Sequence, residues 1–276
     1  MRTGVTVADA ARRVNSWWCG IALLLAPLAV SAQQNADELA KKLANPVASL
    51  ISVPMQLNWD TDIGPVEEGE RFTLNIQPVI PISLDDDWNL ISRTILPIID
   101  QSDIFPGAGS QTGTGDVVQS LFFSPKAPTA GGLIWGVGPV LLLPTGSDDL
   151  LGTEQWGIGP TAVLLKQSGR LTIGALVNHI ESVAGDEDRA DVSSTFLQPF
   201  VAKGFPGGVT VTFNTETTYD WEAEQWTVPV NVLYTKVTKL GGQLVSIGGG
   251  ARYYVEGSDN APTWGLRVVF TLLYPK

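Results

Sequence analysis

One stretch near the end of the chain decides the fold: Trp264-Gly265-Leu266-Arg267-Val268-Val269-Phe270-Thr271-Leu272-Leu273-Tyr274. Trp264, Leu266, Val268, Phe270, Leu272 and Tyr274 form an unbroken apolar face with an aromatic ring at each end. The opposite face carries Gly265, Arg267 and Thr271. This period of two is the pleat of a β-strand. At about 3.3 Å per residue and a tilt near 40°, the ten residues from Trp264 to Tyr274 project to roughly 25 Å. That is the height of the lipid-facing band of a transmembrane β-barrel, whose borders carry aromatic girdles. A half-exposed strand of a soluble sandwich also alternates, but the chain's secretion signal and lack of disulfides weigh against it.

The same pattern recurs upstream. Phe72, Leu74, Ile76, Ile80, Ile82 and Leu84 alternate with polar residues, as do Val209, Val211, Phe213, Tyr219 and Trp221, and Trp226 to Tyr234. Twelve strands are expected, near 51–60, 70–84, 87–100, 114–125, 132–145, 155–166, 170–184, 193–205, 208–221, 225–237, 241–255 and 263–275. Tight connections (Asp85-Asp86, Gln167 to Gly169, Pro206-Gly207, Lys239-Leu240) alternate with longer ones (Asp100 to Gly113, Thr145 to Glu154, Gly185 to Val192, Glu256 to Pro262). An even number of such strands describes an all-β, transmembrane, antiparallel up-and-down barrel with two different ends. The expected girdle residues are Trp135, Trp156, Trp221, Trp226, Trp264 and Tyr274. A five-residue motif occurs twice, 21 positions apart, as Trp135-Gly136-Val137-Gly138-Pro139 and Trp156-Gly157-Ile158-Gly159-Pro160. In a hairpin the two tryptophans fall in opposite girdles, and the glycines leave little side chain in the lumen or permit sharp curvature.

The N-terminus reads differently. Arg2, Arg12 and Arg13 precede an apolar run from Trp17 to Val30, and Val30-Ser31-Ala32 is a small-residue cleavage site. Residues 1–32 are therefore expected to be a secretory signal peptide. The run is too short, and too interrupted by Pro27, to span a membrane. Residues 33–50 form a second segment, with a helical pattern over 36–50 that Pro46 interrupts. It is expected to be a plug or a periplasmic appendage, and 51–276 to be the barrel. The full chain carries 17 basic and 28 acidic residues, a net −11. Removing 1–32 takes three arginines and Asp9, leaving 14 against 27, a net −13. This balance argues against nucleic acid, which needs a basic patch.

The stretch Gly115 to Pro125, the two Gly-x-Gly-Pro motifs with Pro144-Thr145, Gln198-Pro199-Phe200 and Tyr219-Asp220-Trp221 resemble a family of bacterial outer-membrane transporters, some of whose members carry the mistaken label neuromedin U. These are similar to the outer-membrane proteins named after the meta-pathway of phenol degradation. The resemblance covers about 50–276. It implies a barrel, a Gram-negative outer-membrane location, and passage of a small solute, hydrophobic or aromatic in kind. Residues 263–270 also resemble the C-terminal signal read by the barrel-assembly machinery, although Pro275 and Lys276 follow its last aromatic.

Enzyme motifs are absent: there is no Gly-x-Ser-x-Gly elbow, phosphate loop or His-Glu-x-x-His. One histidine and one cysteine exclude most zinc and haem sites, so no metal and no cofactor is expected. His179, with Asn178 and Ser182, is the nearest approach to an outer-membrane lipid hydrolase. Residues 178 and 179 point to opposite faces, and His179 shares the face of Ala175 and Val177, which favours an interfacial structural histidine. If the apolar faces meet lipid, then Arg71, Arg93, Asp116, Glu216, Arg252 and Arg267 line the lumen. They either rim a water-filled pore or staple a narrow barrel shut. The acidic connections, which include Asp60, Asp62, Glu67 and Glu68, either hold divalent cations beside outer-membrane lipids and lipopolysaccharide or are a solvated surface. The expected function is a passive channel for a small solute. An adhesive barrel acting through its acidic loops and a hydrolase using His179 are the alternatives.

Overall fold

A computed structural model describes residues 35–275. The proposed signal peptide lies outside the described residues. The sheet is antiparallel, closed and twelve-stranded, a barrel of the outer-membrane type. Its strands are β1 (Leu50–Ile63), β2 (Gly69–Ile76) continued by β3 (Val79–Ser83), β4 (Trp88–Ser102), β5 (Ser110–Thr114) continued by β6 (Val117–Pro125), β7 (Leu133–Leu143), β8 (Gln155–Ser168), β9 (Leu171–Gly185), β10 (Ser193–Phe205), β11 (Val209–Thr215) continued by β12 (Thr217–Asp220), β13 (Gln225–Leu240), β14 (Gln243–Glu256) and β15 (Trp264–Pro275). Pairing of β15 with β1, from Leu50↔Pro275 to Thr61↔Trp264, closes the cylinder.

The expected strands 70–84 and 208–221 are each broken once, and β5 lies mostly in the expected connection Asp100 to Gly113, set off by a further break from the expected strand 114–125. Pro78 follows β2, and proline has no N–H to give a ladder. The break is bridged from both sides, because Gln77 N donates to Pro54 O and Thr94 N to Pro78 O. The second break, at 115–116, separates β5 from β6, and the third, at Glu216, separates β11 from β12. The connections alternate as expected at most positions. The exceptions are 126–132, which is long at the turn-rich end, and 221–224, which is short at the loop-rich end.

Register and alternation place the apolar set outside. Leu57, Phe72, Phe213, Tyr234, Leu266 and Val268 are exposed large apolar residues on the outer wall. Trp59 stacks on Phe72 (6.0 Å) and meets Trp264 edge-on, and Tyr219 packs against Trp221 and Trp226, all at the loop end. Trp156 starts β8 at that end too. Trp88 and Trp135 meet edge-on at the turn end, where Tyr274 also lies. No described helix is long and apolar enough to cross a membrane.

The repeated motif now has a physical cause. Pro139 and Pro160 stand opposite each other across β7 and β8. On their far sides the ladders to β6 and β9 skip the same positions, since neither proline can donate. Gly138 and Gly159 sit so close to the carbonyls of Leu121 and His179 that an added Cβ would overlap the oxygens. Glycine therefore lets four strands pass through a band of missing hydrogen bonds without spreading.

The helix runs over 35–43, shorter than the 36–50 pattern. Residue 45 precedes Pro46, a position that disfavours the α conformation. Instead Asn45 Oδ1 accepts from Val47 N at 3.0 Å, turning the chain inward. Gly159→Val is expected to reduce the fraction of chain that stays compact in an unheated SDS gel. Gly131→Val, at an open turn, should leave that fraction unchanged.

Candidate functional site

The lumen is the site, and its wall has two unlike arcs. Along β4 and β6–β9 the inward residues include a buried apolar patch, Ile91, Phe122, Val140, Val163, Leu165 and Leu176, set among polar ones such as Asn89, Gln101, Ser120 and Thr161. Along β1, β2 and β11–β15 a second patch is polar or charged, Asn58, Asp60, Arg71, Glu216, Asn231, Arg252 and Arg267, and apolar residues such as Leu50, Val237 and Leu273 lie nearer the turn end. Each arc follows from the strand pleat, which sends alternate residues inward, and from which residue types stand at those alternate positions.

The charged arc is a network. Arg267 forks onto Glu216, with both N···O distances 2.7 Å, and its Nε donates to Asn58 Oδ1 at 2.6 Å. Arg252 meets Asp60 at 3.3 Å and lies 3.8 Å from Glu216. Arg71 and Arg93 find amide oxygens instead, of Gln101 at 2.7 Å and Gln77 at 2.9 Å. The strand break between β11 and β12 sets Glu216 among the arginines, and its backbone N–H is kept by Pro229 O. Gly265 leaves the space that Asp60 and Arg252 fill, because a Cβ there would overlap the Asp60 carboxylate and come within 3.1 Å of Arg252 Cγ.

Five of the six charged residues singled out from the sequence thus share one region of the lumen. Asp116 does something different. Its carboxylate accepts from Gly146 N (2.9 Å), Thr153 N (2.6 Å) and Thr153 Oγ1 (2.6 Å). It therefore pins the 144–154 loop, which also receives Arg189 on the carbonyls of Asp149 and Gly152. Gln101 reaches Leu150 O, and Leu151 is buried, so this loop folds in over the loop end of the lumen. Asp60, expected among the acidic connections, is instead buried in the lumen against Arg252. Position near a loop misled the reading; its inward parity opposite Arg71 and Gly265 was the available signal.

The N-terminal segment occupies the turn end. Leu39 and Ala40 of the helix pack with Leu50, Val237 and Leu273. Val47 inserts into the apolar arc against Ile91, Phe122, Val163, Leu165 and Leu176. Polar pins complete the seat: Arg170 pairs with Asp37 at 2.8 Å, Gly208 N donates to the same carboxylate, and Gln167 Nε2 donates to Lys41 O. Between this segment and the wall are cavities of about 200 Å³, beside Arg93, and about 220 Å³, lined largely by threonines and aliphatic groups.

His179 lies on the outer wall. Its Nδ1 meets Thr195 Oγ1 at 2.8 Å and its Nε2 meets Glu181 Oε1 at 2.7 Å. Trp221 Nε1 donates to the same Thr195 oxygen, and Ser193 donates to Glu181 and not to the imidazole. Asn178 and Ser182, the partners considered from sequence, face the other side. Both ring nitrogens are occupied, one across the ladder to Thr195 of β10 and one along β9 to Glu181, at the loop-end girdle.

The chain's fold is similar to that of an outer membrane channel from Pseudomonas putida F1, with a TM-score of 0.63 at 15% identity over 82% of this chain and 96% of that one. It is also similar to the NanC porin, with a TM-score of 0.47 at 10% identity over 81% and 98%. No family model and no curated protein sequence matches it.

Glu216→Gln is expected to destabilise the barrel by about 3 kcal/mol, because it leaves buried guanidinium groups without their counter-charge. Glu70→Gln, on an exposed carboxylate that only receives Trp59 Nε1, should change stability by less than ~0.5 kcal/mol. Urea midpoints of the lipid-reconstituted proteins check both.

Proposed function

We propose that this chain is a channel of a bacterial outer membrane that passes small solutes passively and is held nearly shut by its own N-terminal segment. The observation that carries this reading is the lumen: a closed barrel with an apolar exterior encloses a charged arc and small cavities, with the N-terminal segment seated at one end. The turn end, which holds the N-terminal segment, would face the periplasm, and the loop end the outside, following the usual arrangement of such barrels. Passage would run below the 144–154 loop, past the arginine arc, and out beside the helix once it shifts. The apolar arc supports a solute with hydrophobic or aromatic character, since it offers such a body a surface along the same path. The Pseudomonas putida protein of similar fold is itself described as an outer membrane channel.

The seat of the segment sets what opens it. The Arg170–Asp37 pair is half exposed on its arginine side, and such pairs contribute about 0–1 kcal/mol. Burying Val47 and Leu39 contributes about 1.5–3 kcal/mol each. Apolar burial therefore dominates. In planar bilayers, Val47→Asp is expected to raise mean single-channel conductance severalfold, while Arg170→Ala should shift it slightly. Silence of both variants and of the parent protein would remove the channel reading.

A further inference from the structure

The lumen's charge does not balance. Four arginines, Arg71, Arg93, Arg252 and Arg267, face two carboxylates, Asp60 and Glu216. Both oxygens of Glu216 are taken by the Arg267 fork, and Asp60 is engaged by Arg252. Among the described residues no carboxylate lies within ion-pair distance of Arg71 or Arg93, which hold only glutamine oxygens. In the same region three buried polar atoms have no hydrogen-bond partner, the donor Arg252 Nε and the acceptors Asp60 Oδ1 and Asn231 Oδ1. A buried cationic surplus is costly unless water or an anion meets it. Elsewhere the chain is strongly acidic, so the surplus inside is a local choice of the fold and not a reflection of composition.

The surplus opens onto a space of suitable shape. Arg93 lines the cavity of about 200 Å³ between the N-terminal segment and the wall. Lys42, Gln77 and Gln198 also line it, and Val79 and Leu176 give it an apolar side. It is smaller than the ~300–1,000 Å³ of sites for drug-sized molecules, so its occupant is compact. A guanidinium presents a planar fork that matches a carboxylate, and the neighbouring amides can donate to the remaining lone pairs.

We propose that this cavity binds a small carboxylate with an apolar body, the head on Arg93 and the body against Val79 and Leu176. The site deepens the channel reading and rests on it for the onward passage of the bound solute. Because the N-terminal segment forms one wall through Lys42 and Pro46, the ligand sits where the segment must move, and binding and opening share the same surface.

The test uses the full chain in lipid nanodiscs, with empty nanodiscs as reference, and calorimetric titration of four probes. Phenylacetate carries head and body, 2-phenylethanol and phenethylamine keep the body without the negative charge, and acetate keeps the head alone. Phenylacetate is expected to bind, acetate to bind more weakly, and the alcohol and amine not to bind. Arg93→Gln should weaken phenylacetate about tenfold, the loss expected for one charge-assisted contact. Arg93→Lys keeps the charge without the fork and should lose less. Equal binding of the alcohol or amine, or an Arg93→Gln barrel that remains heat-modifiable and binds phenylacetate as before, overturns the proposal. Conductance in planar bilayers is read separately. A silent protein with Arg93-dependent phenylacetate binding loses the channel reading and keeps the carboxylate site. A conducting protein indifferent to phenylacetate does the reverse.

Discussion

A wall of strands in lipid has no water to satisfy its peptide groups, so each N–H and C=O must find its partner within the wall. Pairing of β1 with β15 meets that constraint by leaving no edge. Everything else in the molecule follows from closure. With the register fixed around the ring, alternation commits one set of side chains to lipid and the other to the lumen. Even the departures respect it. At Pro78 the neighbouring backbone bridges the gap, and at Pro139 and Pro160 the two missing donors are placed level, with glycines beside them to keep the strands close.

Closure also creates an interior that must be filled or hydrated, and the two arcs fill it in different ways. The apolar arc receives Val47 and so gives the N-terminal segment its seat. The charged arc carries the Arg267–Glu216 fork and the Arg252–Asp60 pair. Buried ion pairs stabilise little compared with apolar residues of the same volume, because desolvation offsets most of their attraction. A barrel selected only for rigidity would gain as much from leucine at these positions. On the proposed channel reading the charges serve solute handling, and the arginine surplus gives that handling a sign.

The two ends are closed by different means. At the loop end, Asp116 and Arg189 hold the 144–154 loop inward through hydrogen bonds to its backbone. At the turn end, the N-terminal segment is held mostly by apolar contacts, with a few polar pins. Hydrogen bonds with fixed geometry make a stiff closure. Apolar burial is non-directional and tolerates sliding. The turn end is thus the more natural place for movement.

The sequence by itself determined the strands, their number and their two faces, because a period of two and aromatic borders are local properties of the chain. It also marked Arg71, Arg93, Glu216, Arg252 and Arg267 as inward, for the same reason of parity. Pairing between them was not legible: Arg267 and Glu216 are 51 positions apart, and Arg252 and Asp60 are 192 apart. Only the closed ring brings such residues together. The tertiary structure alone decided that Asp60 belongs to the lumen, that Asp116 serves a loop, that the helix stops at residue 43, and that Val47 lies inside the barrel. Each of these depends on what stands across the lumen, and a chain read one residue at a time carries no record of what lies opposite.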